Sequence, residues 1–266
     1  DLTRDQRRAS STMSFTTANG VRLHTTALGA GPPVVMLHGL LIGSLASWYF
    51  TAAPALARTH AVQLYDLRGH GLSDRPVDGY DTATMAADLA ALIGDRPERV
   101  DLVGHSYGAL VALAFARAHP DRVRRLALVE APLPPATFAD EHGFLTAGPD
   151  HMIAALPPGL REAIAGGRRQ AARLLATLRA LAYETTLLAD LRAEPDLDAA
   201  ALAAVTAPTL CVYGDRSSCR PAGERLAAQL PDARLAILPG GHYLHLDAKD
   251  ALTALLVDHL AEHGDG

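Results

Sequence analysis

The chain has 266 residues and a mass of 28.0 kDa, a length typical of one α/β domain or of one domain carrying an insertion. Hydrophobic residues make up 49% and charged residues 20%, which allows a sizeable core and excludes disorder of the whole chain. The net charge of −5, the 5% aromatic content and the lack of a long apolar run argue against a nucleic-acid binder and a membrane-spanning protein.

The N-terminal segment 1–13 is polar and lacks the apolar stretch of a secretion signal, so we expect a disordered tail and a cytoplasmic location. The segments 14–18 and 21–28 flank Asn19-Gly20, which is a strong turn signal. The sequence therefore predicts that the ordered part begins with a β-hairpin.

After the hairpin, short apolar segments alternate with segments of helical periodicity. The predicted strands are 33–37, 61–65, 99–103, 123–129, 209–213 and 234–238. The predicted helices are 47–57, 82–93, 108–119, 221–230 and 248–262. This alternation indicates an α/β fold with a mostly parallel, doubly wound sheet covered on both faces, and the hairpin adds antiparallel strands at one edge.

Residues 132–204 break the alternation, because they carry Ala, Leu and Arg at helical spacing and no clear strand. We interpret them as a helical cap, or lid, inserted into a core formed by 14–131 and 205–266. Such a segment is expected over the carboxyl edge of the sheet, where open α/β folds bind their ligands. The arginines of the insertion are interpreted as a solvated helix face.

A candidate nucleophile lies in the pentapeptide Gly104-His105-Ser106-Tyr107-Gly108, between a predicted strand and a predicted helix. This is the G-x-S-x-G pattern in the strand–turn–helix context that it requires. The tight turn leaves no room for side chains at the glycines, and it exposes the Ser106 hydroxyl at the positive end of a helix. The pattern therefore predicts a serine nucleophile.

A serine nucleophile needs a base, and His242 follows the last predicted strand, in the chain order serine, acid, histidine. His245 lies three residues further on, but no carboxylate–histidine array completes a metal site, so we predict no metal. The two cysteines, Cys211 and Cys219, are interpreted as reduced thiols.

Besides the serine pattern, the sequence contains three further motifs in the order His38-Gly39, DLRGHGLS at 66–73 and Gly241-His242. With them, the sequence resembles the α/β-hydrolase superfamily from about residue 14 onward, and within it small bacterial ester, lactone and ring-cleavage hydrolases. The resemblance implies an oxyanion hole built from the backbone N–H groups of Leu40 and Tyr107, and chemistry without a metal or organic cofactor.

The acid is where the sequence departs from that superfamily. Its members commonly carry Gly-x-x-Asp after the strand that corresponds to 209–213, but Ser217 stands at the acid position here. Asp215 lies two residues before that position, so its side chain is expected to point elsewhere. Glu130 ends the strand 123–129, the location of the acid in zearalenone lactonases and in one group of haloalkane dehalogenases. We therefore predict Glu130 as the triad acid and keep Asp215 as the alternative.

Several further residues are candidates for the substrate pocket, and Trp48 among them equally fits plain core: His38, Leu41, Trp48, His105 and Tyr243. We interpret the two histidines as supports of the pocket, while Leu40, Leu41, Trp48, Tyr107, Tyr243 and the insertion indicate that it is mostly apolar. This predicts a small hydrophobic substrate, cleaved at an ester, lactone or thioester through an acyl-enzyme. Serine at the elbow disfavours dehalogenase and epoxide hydrolase chemistry, which uses Asp there. The alternatives are a C–C bond hydrolase, a tailoring enzyme of secondary metabolism and a non-enzymatic binding protein. The sequence does not decide whether the protein forms a homo-oligomer.

Overall fold

The computed structural model describes residues 14–135 and 158–261. The expected tail 1–13 and the part of the insertion at 136–157 lie outside these ranges, as do residues 262–266. The strands of the described chain are β1 Ser14–Ala18, β2 Val21–Leu28, β3 Pro33–Leu37, β4 Ala61–Tyr65, β5 Val100–His105, β6 Val123–Val129, β7 Thr209–Gly214 and β8 Ala233–Leu238.

These strands form one sheet in the order β1-β2-β4-β3-β5-β6-β7-β8. The hairpin strand β2 pairs antiparallel with β1 and with β4, while the pairs from β4 to β8 are parallel. The hairpin turns at Asn19 and Gly20, both at positive φ, as tight hairpins require. The prediction of an α/β fold with a mostly parallel sheet and an antiparallel edge is confirmed.

The helices are α1 Ala46–Tyr49, α2 Ala53–Leu56, α3 Thr82–Ile93, α4 Tyr107–Ala118, α5 Pro158–Ala165, α6 Arg169–Tyr183, α7 Leu187–Ala193, α8 Ala199–Ala203, α9 Arg220–Gln229, α10 Leu244–Asp247 and α11 Lys249–Ala261. The prediction of a single helix at 47–57 was wrong, because two short helices, α1 and α2, occupy this segment. Helix α2 begins separately, with Pro54 in its first turn. None of the helices in the described ranges is long and apolar enough to cross a membrane.

The core has two layers, one on each face of the sheet. In β3, Val34 and Met36 belong to the layer beneath α2 and α11, and Val35 and Leu37 belong to the layer beneath α3 and α4. This alternation is the period of two that a strand imposes on its side chains. Strand β5, which leads to Ser106, is buried along its whole length, so its end is held rigidly.

The described part of the insertion, α5 to α8, packs against the core, and two of these places show where it lies. The α6 residues Leu178 and Ala182 are buried, and the partly buried Leu41 and Ile42 pack against them. At the other place, the Asp190 carboxylate accepts a hydrogen bond from the Tyr80 backbone N–H at 2.9 Å. The insertion therefore lies against the loop that follows β3, and its role as a lid stays a prediction.

Candidate active site

The turn between β5 and α4 holds Ser106 in a strained conformation. Its φ of 54° and ψ of −124° place a non-glycine residue in a region that L-amino acids rarely adopt. The backbone N–H of Ser106 donates to the carbonyl of Val129, the last residue of β6, at 2.8 Å. The neighbouring strand thus fixes the turn, and the serine stands at the N-terminus of α4.

The two glycines of the turn are required by close backbone contacts. A Cβ atom on Gly104 would lie 2.4 Å from the Cα of Ala109, and one on Gly108 would lie 2.3 Å from the carbonyl oxygen of His38. Both distances are far below van der Waals contact. The helix therefore packs directly against β5 and the end of β3, which brings the serine next to the loop that starts at His38.

His242 lies between Ser106 and Glu130. Its Nε2 is 2.9 Å from the Ser106 Oγ, and its Nδ1 is 3.2 Å from the Glu130 Oε2. With the carboxylate accepting the Nδ1 proton, Nε2 has the free lone pair that accepts the serine proton. The His242 carbonyl also accepts a hydrogen bond from the His105 Nε2 at 2.8 Å, which fixes the loop.

Glu130 is completely buried at the end of β6, with a left-handed φ of 57°. A buried carboxylate is costly unless donors surround it. Here the Gly214 N–H donates to Oε1 at 2.5 Å, and the Ser217 hydroxyl donates to Oε2. With the imidazole of His242, these groups give the charge three donors, and no arginine of the described chain pairs with it.

Asp215, the alternative acid, points elsewhere. Its Oδ1 accepts a hydrogen bond from the Gly240 N–H at 2.8 Å, and it lies 3.3 Å from an Arg216 guanidinium nitrogen. The side chain is 45% exposed, whereas that of Glu130 is not exposed at all. Asp215 therefore links the loops after β7 and β8 and makes no hydrogen bond to His242.

The loop after β3 carries the first expected oxyanion donor, Leu40, and α4 begins with the second, Tyr107. Neither backbone N–H finds an acceptor within residues 14–135 and 158–261. A Cβ on Gly39 would lie 3.1 Å from the Cβ of Ser106, so the loop passes close to the nucleophile. The oxyanion hole expected from Leu40 and Tyr107 therefore stays a prediction, and neither N–H group is already used by an acceptor in the described chain.

Two buried histidines hold this loop in place. His38 donates from Nδ1 to the Gly39 carbonyl at 2.7 Å, and its Nε2 accepts from the Leu67 N–H at 3.0 Å. The His70 Nε2 accepts from the Leu41 N–H at 2.8 Å. Burial lowers the pKa of His38 and lowers that of His70 to about 3, so both rings stay neutral and keep their acceptor nitrogens.

The other expected pocket residues take different places. Trp48 is fully buried in the core and donates from Nε1 to the Leu37 carbonyl at 2.8 Å, so the structure places it outside any accessible pocket. His105 is buried, and burial lowers its pKa well below the usual value. Leu41 and Tyr243 are half-buried, which leaves part of each side chain accessible to a ligand.

Sequence reasoning missed two residues at this site. The Cys219 Sγ lies 3.6 Å from the His242 Nδ1, on the side of the ring that faces Glu130. Ser217, considered only as a missing acid, donates to Glu130 and accepts from the Cys219 N–H at 3.1 Å. The available signal was their position in the loop after β7, where the resemblance led us to expect the acid.

Comparison with known proteins agrees with this fold. The model of the alpha/beta hydrolase fold family matches residues 32–154. A soluble epoxide hydrolase from Corynebacterium sp. (strain C12) is 39% identical over 115 residues, which is 42% of this chain and 39% of that protein. The match therefore spans only about two fifths of the length of that relative.

Two further proteins match over nearly their full length. A hydrolase structure from Pseudomonas aeruginosa PA01 has a TM-score of 0.76 and 26% identity, and it covers 95% of this chain and 100% of its own. A pimeloyl-[acyl-carrier protein] methyl ester esterase from Chromobacterium violaceum is 34% identical over 258 residues, or 90% of this chain and 98% of the esterase. On this full-length match and the shared fold, the chain belongs to the α/β-hydrolase family.

Proposed function

We propose that this α/β hydrolase is a serine hydrolase that cleaves an ester, lactone or thioester of a small hydrophobic molecule through an acyl-enzyme. One observation carries the proposal: a continuous line of hydrogen bonds from the Ser106 Oγ through His242 to the Glu130 carboxylate. The methyl ester esterase from C. violaceum, similar over almost the whole chain, supports the choice of an ester-type substrate.

In the acylation step, the Ser106 Oγ attacks the substrate carbonyl carbon while its proton moves to the His242 Nε2. The imidazolium that forms is stabilised by Glu130, whose negative charge is buried and held by fixed donors. The N–H groups of Leu40 and Tyr107 hydrogen-bond the developing oxyanion. Loss of one such donor typically costs about 3 kcal/mol of transition-state stabilisation.

The His242 Nε2 then gives its proton to the leaving group, and the bond between the carbonyl carbon and that group breaks. In deacylation, the same nitrogen removes a proton from water, and the hydroxide attacks the acyl carbon. Collapse of the second tetrahedral intermediate returns the proton to the Ser106 Oγ and releases the acid. The residues named here carry out every step without a metal or organic cofactor.

The surroundings of the serine support a hydrophobic substrate. Leu41 and Ile42 follow the oxyanion residue directly, and both contact the α6 helix of the insertion. We assign α6 to a lid beside the entrance, which would exclude water from the acyl-enzyme and select the substrate by shape. The apolar character of this contact argues for an uncharged acyl or alkyl group.

The test combines labelling and turnover. Purified enzyme and its Ser106→Ala variant are treated with a fluorescent fluorophosphonate and assayed on p-nitrophenyl esters and simple lactones. We expect labelling and hydrolysis by the wild type only, with at least a ~10³-fold loss of kcat in the variant. Equal turnover by the variant would overturn the proposal. Labelling of Ser106 without turnover of any ester would favour C–C bond hydrolysis or a tailoring reaction.

A further inference from the structure

We propose that Glu130, Cys219 and His242 form a binding site for Zn²⁺ or a similar thiophilic divalent cation, and that the bound cation switches the enzyme off. The three side chains come from the end of β6, the loop after β7 and the loop after β8. Their ligand atoms all lie within 4.8 Å of one another. The metal site stands on its own geometry, whereas its inhibitory effect rests on the proposed serine hydrolase function.

Two of the three distances between ligand atoms match those of a tetrahedral zinc centre. Bonds of about 2.3 Å to sulfur and about 2.1 Å to nitrogen and oxygen put the nitrogen about 3.6 Å from the sulfur and about 3.4 Å from the oxygen. The observed separations are 3.6 Å from the His242 Nδ1 to the Cys219 Sγ and 3.2 Å from that nitrogen to the Glu130 Oε2. For these two pairs of atoms, a tetrahedral cation needs movements of only a few tenths of an ångström, and all three ligand atoms lie within 4.8 Å of one another.

The charges and the surrounding donors also suit a divalent cation. When the Cys219 thiol gives up its proton, its thiolate and the Glu130 carboxylate balance two positive charges. The ring of His242 remains neutral. Glu130 is held in place by the Gly214 N–H and the Ser217 hydroxyl, as outer hydrogen bonds commonly orient metal ligands. The fourth position is left to water, and the 14% exposure of the His242 side chain gives a path for entry.

The donor set decides which cations fit. One thiolate, one imidazole and one carboxylate suit Zn²⁺, Co²⁺ or Cd²⁺, whereas Mg²⁺ and Ca²⁺ prefer oxygen ligands throughout. The second cysteine, Cys211, lies in β7, fully buried in the core and outside this cluster of ligands, and burial raises the pKa of its thiol to about 12. Cys211 therefore offers a matched control in the adjacent strand.

Metal binding would disable the base through the tautomer of His242. With the cation on Nδ1, the ring proton moves to Nε2, the atom 2.9 Å from the Ser106 Oγ. Nε2 then donates a hydrogen bond to the serine and has no lone pair to take its proton. Only the thiol proton leaves the site, so the ring keeps one proton throughout. The serine is left intact but without a base.

The binding test does not depend on activity. Co²⁺ is titrated into the full-length Ser106→Ala protein, alone and combined with Cys219→Ser, Cys219→Ala or Cys211→Ser. We expect one equivalent to bind with the thiolate-to-cobalt charge-transfer band and tetrahedral d–d bands. These bands should vanish in both Cys219 variants and persist with Cys211→Ser. Absence of the bands in the Ser106→Ala protein, or their persistence in both folded Cys219 variants, would overturn the site.

The activity test uses Zn²⁺ on the enzyme with Ser106 intact and an ester that it hydrolyses. Each protein is compared with its own rate in chelator, so changes in basal rate cancel. We expect Zn²⁺ to inhibit the wild type and Cys211→Ser alike, and the concentration for half inhibition to rise at least tenfold in Cys219→Ser. Mg²⁺ should have no effect. Equal inhibition of all three proteins would refute the proposed switch. If the enzyme hydrolysed no ester, the proposed function would be wrong, but the cobalt titration would still test the metal site.

Discussion

Ser217 donates a hydrogen bond to the carboxylate of Glu130, so the residue that stands where an acid was expected contacts the acid proposed on the neighbouring strand. Strands β6 and β7 pair directly, and paired strands lie about 4.8 Å apart. The side chain of Glu is one methylene longer than that of Asp, and the Glu130 Oε2 lies 3.2 Å from the His242 Nδ1. The Ser217 hydroxyl therefore helps to stabilise the buried negative charge of Glu130 by donating a hydrogen bond to it.

The first prediction separates the two candidate acids. Glu130→Gln should keep the packing but lower kcat by orders of magnitude, because an amide has no charge to stabilise the imidazolium and can hold the wrong tautomer. Asp215→Asn should change kcat much less, since its carboxylate binds the Gly240 N–H instead. Steady-state kinetics on one ester checks both, and the opposite ranking would return the acid to the loop after β7.

The second prediction moves the acid by design. Glu130→Asn should lose most activity while tolerating the left-handed backbone at this position, because Asn adopts that conformation more readily than most residues. Adding Ser217→Asp should raise kcat at least about tenfold above that of Glu130→Asn, since the resemblance to α/β hydrolases places the acid at position 217. The measurement compares the double variant with the single one. Recovery should be absent from Glu130→Asn combined with Ser217→Asn, and a folded Asp-containing double variant without recovery would argue against the exchange.

The third prediction concerns stability. The Arg68 guanidinium donates two hydrogen bonds to Asp88, at 2.7 Å and 2.6 Å, and both side chains are almost fully buried. Asp88→Asn leaves a buried cation without its partner, so we expect a loss of about 3–5 kcal/mol in urea unfolding. Glu224→Gln breaks the exposed pair with Arg220 and should change stability by less than about 1 kcal/mol. Similar losses of stability in the two variants would contradict the prediction that the buried ion pair contributes more than the exposed one.

The fourth prediction is a pH dependence. Burial lowers the pKa of His70 to about 3, so the folded state binds its proton less readily than the unfolded state. The stabilisation is complete above about pH 6.5, the unfolded pKa, and is lost as the pH falls toward 3. One such histidine adds a slope of up to about 1.4 kcal/mol per pH unit in that window.

Unfolding by urea at pH 7.5, 6.5 and 5.5 measures this slope. His70→Gln can still donate to the Arg68 carbonyl and accept from the Leu41 N–H, but it does not titrate. We expect the variant to lose less stability per pH unit than the wild type, whatever its stability at pH 7.5. Parallel curves for the two proteins would show that His70 does not contribute.

The sequence predicted the strands, and four of the five helices for which it gave bounds, within one or two residues, because buried strands and amphipathic helices have clear periods. It predicted Ser106 and His242 as site residues because each follows a strand at the carboxyl edge. It could not predict the contact between Cys219 and His242, which depends on how two loops fold against each other. The ion pair between Arg68 and Asp88 was not predictable either, because it depends on how the turn after β4 packs against α3.

The carboxylates of Asp190 and Glu194 have a consequence for protein engineering. They accept the backbone N–H groups of Tyr80 and Thr82, and the hydroxyl of Tyr107 lies 3.4 Å from Glu194. A graft that replaced the whole segment between β6 and β7 would leave these amides without acceptors, directly behind an expected oxyanion donor. A new cap should therefore end before Leu187, so that α7 and α8, which carry or flank these two carboxylates, are retained.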